Sequence, residues 1–133
     1  MSSTFELVLG SGYGDRRCSF HPVRFGKTWA LGLEFDRPGV LEPMGPATNT
    51  LVLVLDIGCE IRAEPSRPHD DLPGFSELVR AYYPLSTGQW RLLRLHPAVR
   101  ITLSGASFYS ARLDGAAARN GLMRLAEGLV GAS

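Results

Sequence analysis

A chain of 133 residues, 44% hydrophobic and 20% charged, has the make-up of one globular domain that can bury a core without disulfides or metals. Fourteen basic against thirteen acidic side chains leave a net charge of +1, which excludes a global field steering the chain to nucleic acid or to an anionic membrane. Its two cysteines, Cys18 and Cys59, are too few for a disulfide scaffold. The opening MSSTFELVLG has no basic segment, and Glu6 breaks its apolar run. The longest apolar run of the central strand, Leu51–Leu55, falls far short of the ~20 residues that cross a bilayer. A cytoplasmic setting without a membrane is therefore expected.

Phe5, Leu7 and Leu9 alternate with Glu6 and Val8, the period of a short first strand. Gly10-Ser11-Gly12-Tyr13-Gly14-Asp15 bends easily because glycine accepts positive φ. Arg17–His21 and Val23–Phe25 read as a second strand broken at Pro22; proline donates nothing to a ladder, which places this strand at an edge. Trp29, Leu31, Leu33 and Phe35 then point one way, with Thr28, Ala30, Gly32 and Glu34 opposite. Asp36-Arg37-Pro38-Gly39 is a turn, and Val40–Thr50 is an aperiodic loop.

Leu51–Ala63 carries the strongest pattern in the chain. Every odd position is apolar: Leu51, Leu53, Leu55, Ile57, Cys59, Ile61 and Ala63. A period of two over this length predicts one long strand, bent near Gly58, with Cys59 on its dry face. The polar loop Glu64–Leu72 follows. A helix is then expected over 73–83, because Asp71 can cap it and Phe75, Leu78, Val79 and Tyr82 recur at i, i+3, i+4, i+7. Gln89–Leu95, Val99–Ser104 and Ser107–Leu113 read as further strands, the first with a helical turn as the alternative because Leu92 and Leu93 break the alternation. A closing helix over 115–130 lines up Ala118, Leu122, Leu125, Ala126 and Leu129. Asn120-Gly121 weakens its first half, so its ordered part is expected from Asn120.

The expected fold is a single α+β domain over residues 1–133: a mainly antiparallel sheet of about six to seven strands, covered on one face by the two helices. The ribbons Trp29–Phe35 and Leu51–Ile61 should lie side by side beneath them.

Motifs with chemistry are sparse. Phe25-Gly26-Lys27-Thr28 imitates the end of a phosphate-binding loop, and Leu51–Asp56 imitates its magnesium-binding partner. His21 stands where the loop's first glycine belongs, however, and a strand pattern follows Thr28 where a helix is required. The glycine loop with Arg16 and Arg17 offers an anion nest, or simply a hairpin entering a strand. Asp56 and Glu60, with Glu34 beside Ala30 and Gly32, would form a shallow acidic groove if their strands were neighbours. Tyr82, Tyr83 and Trp90 are candidates to line a pocket between the sheet and the first helix. Trp90, Arg91, Arg94, Arg100, Phe108, Tyr109 and Arg112 interleave aromatics with cations, as single-strand-binding sheets do, but the charge balance disfavours nucleic acid. His21, His69 and His96 are too far apart for a ligand pair, and no serine sits in a nucleophile elbow.

The resulting expectation is a small non-enzymatic domain that contacts another protein or a second copy of itself, as an accessory, inhibitor or chaperone-like subunit, without cofactor or metal. A small-molecule binder, or an enzyme of unknown class, with a pocket between sheet and helix is the alternative. The candidate binding residues are Arg16, Arg17, Glu34, Asp56, Glu60, Tyr82 and Trp90.

Overall fold

The structure, a computed structural model, describes residues 4–11, 15–25, 27–35, 50–65, 79–104 and 108–132. The turn at 36–39, residues 12–14, 40–49 and 66–72 of the expected loops, the turn at 105–106 and the start of the expected 73–83 helix lie outside the described residues. Eight strands form one antiparallel sheet: β1 (Phe5–Ser11), β2 (Arg16–Phe25), β3 (Thr28–Phe35), β4 (Thr50–Leu55), β5 (Glu60–Ala63), β6 (Val79–Leu85), β7 (Ala98–Ser104) and β8 (Phe108–Arg112). Two helices complete the fold, α1 (Thr87–Leu95) between β6 and β7, and α2 (Ala116–Ala132) after β8.

The strand order is β5-β4-β7-β8-β1-β2-β3-β6, and the terminal strands β5 and β6 approach each other, so the sheet curls into a nearly closed barrel. Inward residues fill it: Leu9, Phe20, Leu31, Leu33, Phe35, Leu51, Leu53, Leu55, Ile61, Tyr83, Ile101, Leu103 and Tyr109 are all essentially inaccessible. Curling lets one sheet face bury itself, so the helices do not blanket a face as expected. They pack on one another at the barrel end where β6 and β8 finish. Leu93 of α1 and Leu122, Leu125 and Ala126 of α2 extend the core there.

The α+β class, the antiparallel sheet and the C-terminal helix match the sequence reading; several details do not. The long strand is a hairpin. β4 turns back through Asp56–Cys59, with Gly58 at φ 88°, the Leu55 N–H donating to the Cys59 carbonyl (2.8 Å) and the Gly58 N–H to the Leu55 carbonyl (2.9 Å). Register pairs Leu51 with Ala63 and Leu53 with Ile61, so odd residues of both arms face inward and the alternation runs unbroken through the turn. Ile57 and Cys59 sit in the turn and are exposed, correcting the dry-face placement of Cys59.

Residues 79–85 form strand β6, not the end of a helix. Tyr83 and Leu85 are buried while Tyr82 and Pro84 are half-buried, a period of two that pairs with β3 from Trp29↔Leu85 to Phe35↔Val79. Pro84 is accommodated because β6 ends the strand order. Conversely, 87–95 is helical. Ser86-Thr87-Gly88-Gln89 is a capping box: the Gln89 N–H donates to Ser86 Oγ (3.1 Å) and the Ser86 N–H to Gln89 Oε1 (2.9 Å). The ribbons 29–35 and 51–61 are not neighbours, since β3 pairs with β2 and β6, and β4 with β5 and β7. Nor is β2 an edge strand. Among the described residues its pairing with β1 ends at Phe5↔Phe20, and Pro22 pairs with Leu31 of β3.

α2 begins at Ala116, ahead of the expected Asn120. Its Gly121 has a packing reason: a Cβ there would lie 2.2 Å from Phe5 Cδ1, so only glycine lets the Phe5 ring rest on the helix backbone.

Candidate anion-binding groove

A depression in the described surface lies where the β2–β3 hairpin meets α1. Antiparallel register sets Arg24 opposite Trp29, and the Arg24 guanidinium carbon stands 5.5 Å from the centroid of the Trp29 ring, a cation–π contact. Lys27 projects from the turn between the two strands. The opposite wall is α1, where Thr87, Trp90, Arg91 and Arg94 recur at i, i+3, i+4, i+7 and so share a face. The Trp90 indole N–H donates to the Trp29 carbonyl (3.1 Å), tying helix to hairpin. Leu129 of α2 completes a groove of about 540 Å³.

Among the described residues its lining holds four cations, Arg24, Lys27, Arg91 and Arg94, and no carboxylate. Trp29 is half-buried and Trp90 is buried, so the cations ring an apolar floor. Arg94 stands in the last turn of α1, where a cation complements the helix dipole. Its Nε is buried with no hydrogen-bond partner among the described residues. A buried N–H without an acceptor is costly.

The candidate residues from the sequence do not converge. Arg17 is exposed on β2; Arg16 begins that strand. Glu34 on β3 and Tyr82 on β6 are half-buried, and Tyr82 pairs with Gly32. Asp56 is exposed in the β4–β5 turn, with His96 Nδ1 3.8 Å from its Oδ1. Glu60 is exposed at the start of β5, its Oε1 3.5 Å from Arg62 Nε. The imagined acidic groove thus does not form, because β6 stands between β3, which carries Glu34, and the β4–β5 hairpin, which carries Asp56 and Glu60. Trp90 alone of the set lines the groove; Arg24, Lys27, Trp29, Thr87 and Leu129 were not foreseen. The one available signal was Phe25-Gly26-Lys27-Thr28: Lys27 lies in a turn and β3 begins at Thr28, so no helix follows to cradle phosphate in the manner of a phosphate-binding loop.

The aromatic–cation series is likewise divided. Trp90, Arg91 and Arg94 belong to the groove, whereas Arg100 and Arg112, register partners on β7 and β8, share a smaller depression with Asp114 and Arg119. Tyr109 is fully buried and Phe108 is half-exposed. In the barrel interior, burial holds the Tyr83 phenol well above its ordinary pKa, with lesser contributions from Cys18 and Glu64.

Among the described residues no three His, Cys, Asp or Glu side chains cluster as metal ligands, and no described helix is long and apolar enough to cross a membrane. Compared with known proteins, the chain matches no protein-family model, no curated protein and no solved structure.

Proposed function

We propose that this domain is a non-catalytic binding module that holds an anionic ligand in the groove between the β2–β3 hairpin and α1. One observation carries the reading: among the described residues, four cations and no carboxylate around an apolar floor. Its volume, about 540 Å³, falls in the ordinary range of small-molecule sites, which combine apolar walls with a few placed polar groups. Arginine suits the role, since its fork meets oxyanions with two parallel hydrogen bonds.

The chain's two tryptophans, Trp29 and Trp90, both line the groove, so their emission reports its occupancy. Anionic ligands are expected to change that emission saturably, and Lys27→Glu with Arg91→Glu to abolish the change while the fold survives by circular dichroism. Emission indifferent to anions, or a response that survives the double reversal, would refute the reading.

Contact with another protein is the second reading. Val8, Ile57, Leu95 and Phe108, all at least half-exposed, favour it. Native mass spectrometry tests it: a mass of one chain at micromolar concentration removes self-association.

A further inference from the structure

Resting on the anion-binding reading, we infer that the groove's ligand is an organic phosphate, a phosphomonoester carried on an apolar body, and that Arg94 selects it. Charge comes first. A carboxylate brings one negative charge to four cations with no carboxylate among the described lining residues. A phosphomonoester brings nearly two at neutral pH and three acceptor oxygens, which divide among several donors. Three of the four cations are arginines, from both walls of the groove, so donors approach a tetrahedral oxyanion from more than one side.

Arg94 differs from the others. Arg24 is stacked on Trp29, and Arg91 and Lys27 are exposed at the rim. Arg94 is partly buried, and its Nε has no acceptor among the described residues. The Nε–H and one Nη–H of a guanidinium form an edge that matches two oxygens of a phosphate. Lysine keeps the charge at this position but cannot reproduce that edge. The apolar body follows from the floor: Trp29, Trp90 and Leu129 offer surface that inorganic phosphate would leave wet.

Calorimetry on the full chain with phenyl phosphate, benzoate and inorganic phosphate, with tryptophan emission followed in parallel, separates these claims. Phenyl phosphate is expected to bind at least tenfold more tightly than either of the others, and Arg94→Lys to weaken it at least tenfold at unchanged circular dichroism. Should Arg94→Lys unfold, arginine Nε–H resonances of the unsubstituted protein replace it. One is expected to move with phenyl phosphate and stay put with phenol, and no movement overturns the assignment. Benzoate binding as tightly as phenyl phosphate, or Arg94→Lys binding as well as the original, overturns the inference and leaves the anion site standing. No binding of any of the three overturns both.

Discussion

Gly121→Ala tests the contact that fixes α2 on the barrel. In an unencumbered helix interior this substitution stabilises by about 1 kcal/mol, since glycine loses the most backbone freedom. Here the new Cβ would stand 2.2, 2.3 and 2.7 Å from Phe5 Cδ1, Cε1 and Cγ, against 3.4–4 Å for ordinary contact. The Phe5 ring cannot retreat inward, because it lies 5.7 Å from the ring of Phe20, which is fully buried. Overpacking of this kind costs roughly 1–3 kcal/mol, so the net effect is a loss of about 1 kcal/mol, or roughly 4 °C in melting temperature. Removing the ring reverses the sign: in a Phe5→Ala background, Gly121→Ala should stabilise by about 1 kcal/mol, a coupling near 2 kcal/mol. Urea denaturation of the four proteins of the cycle measures it. If Gly121→Ala stabilises the original chain, or the coupling is below about 0.5 kcal/mol, the helix does not rest on Phe5 in the way described.

The remaining predictions are shorter. Ile61→Ala should cost about 2–4 kcal/mol in chemical denaturation and Ile57→Ala less than about 0.5 kcal/mol, because Ile61 is 1% and Ile57 51% exposed; equal losses would restore the single long strand. Native protein should expose one reactive thiol to a colorimetric reagent, Cys59, and a second, the buried Cys18, only on denaturation. Above pH ~10 the Tyr83 phenol ionises in the unfolded chain before it does so in the barrel. Unfolding then releases a proton, and stability falls with rising pH by up to about 1.4 kcal/mol per unit from this group. Tyr83→Phe should remove that share of the alkaline slope and leave neutral pH without it, which denaturation curves at several pH values would show.

Much of the core was legible because period-two burial is a local signal. Leu31, Leu33, Leu51, Leu53 and Ile61 announce their inward direction whatever strand lies beside them. The β4–β5 turn was hidden for the same reason: both arms keep odd residues inward, and nothing in the alternation marks the reversal. Asp56 and Gly58 were its only trace. Val79 and Tyr82 fit a helical face by spacing, but the pairing of β6 with β3, a tertiary fact, decided them. Ser86 and Gln89 did announce α1, through a capping box that strand-like residues further on obscured. The groove was the least readable part. Arg24 and Trp29 meet Arg91 and Arg94 only once β6 has laid α1 against the β2–β3 hairpin, a proximity of residues more than sixty apart that no sequence window spans.

The pairing of β1 with β8, Gly10 opposite Ser110 and Ser11 opposite Tyr109, has a consequence for how the chain is made. During synthesis the partner for one edge of β1 is translated roughly a hundred residues after β1 itself. Until then that edge offers free amides and carbonyls to any strand nearby, and closing so long a loop is slow. The nascent chain thus carries an open seam until β8 is made, and crowded ribosomes on one message would bring such seams together. Ribosome-bound chains ending before residue 108 are where aggregation should begin and where a chaperone would be needed most.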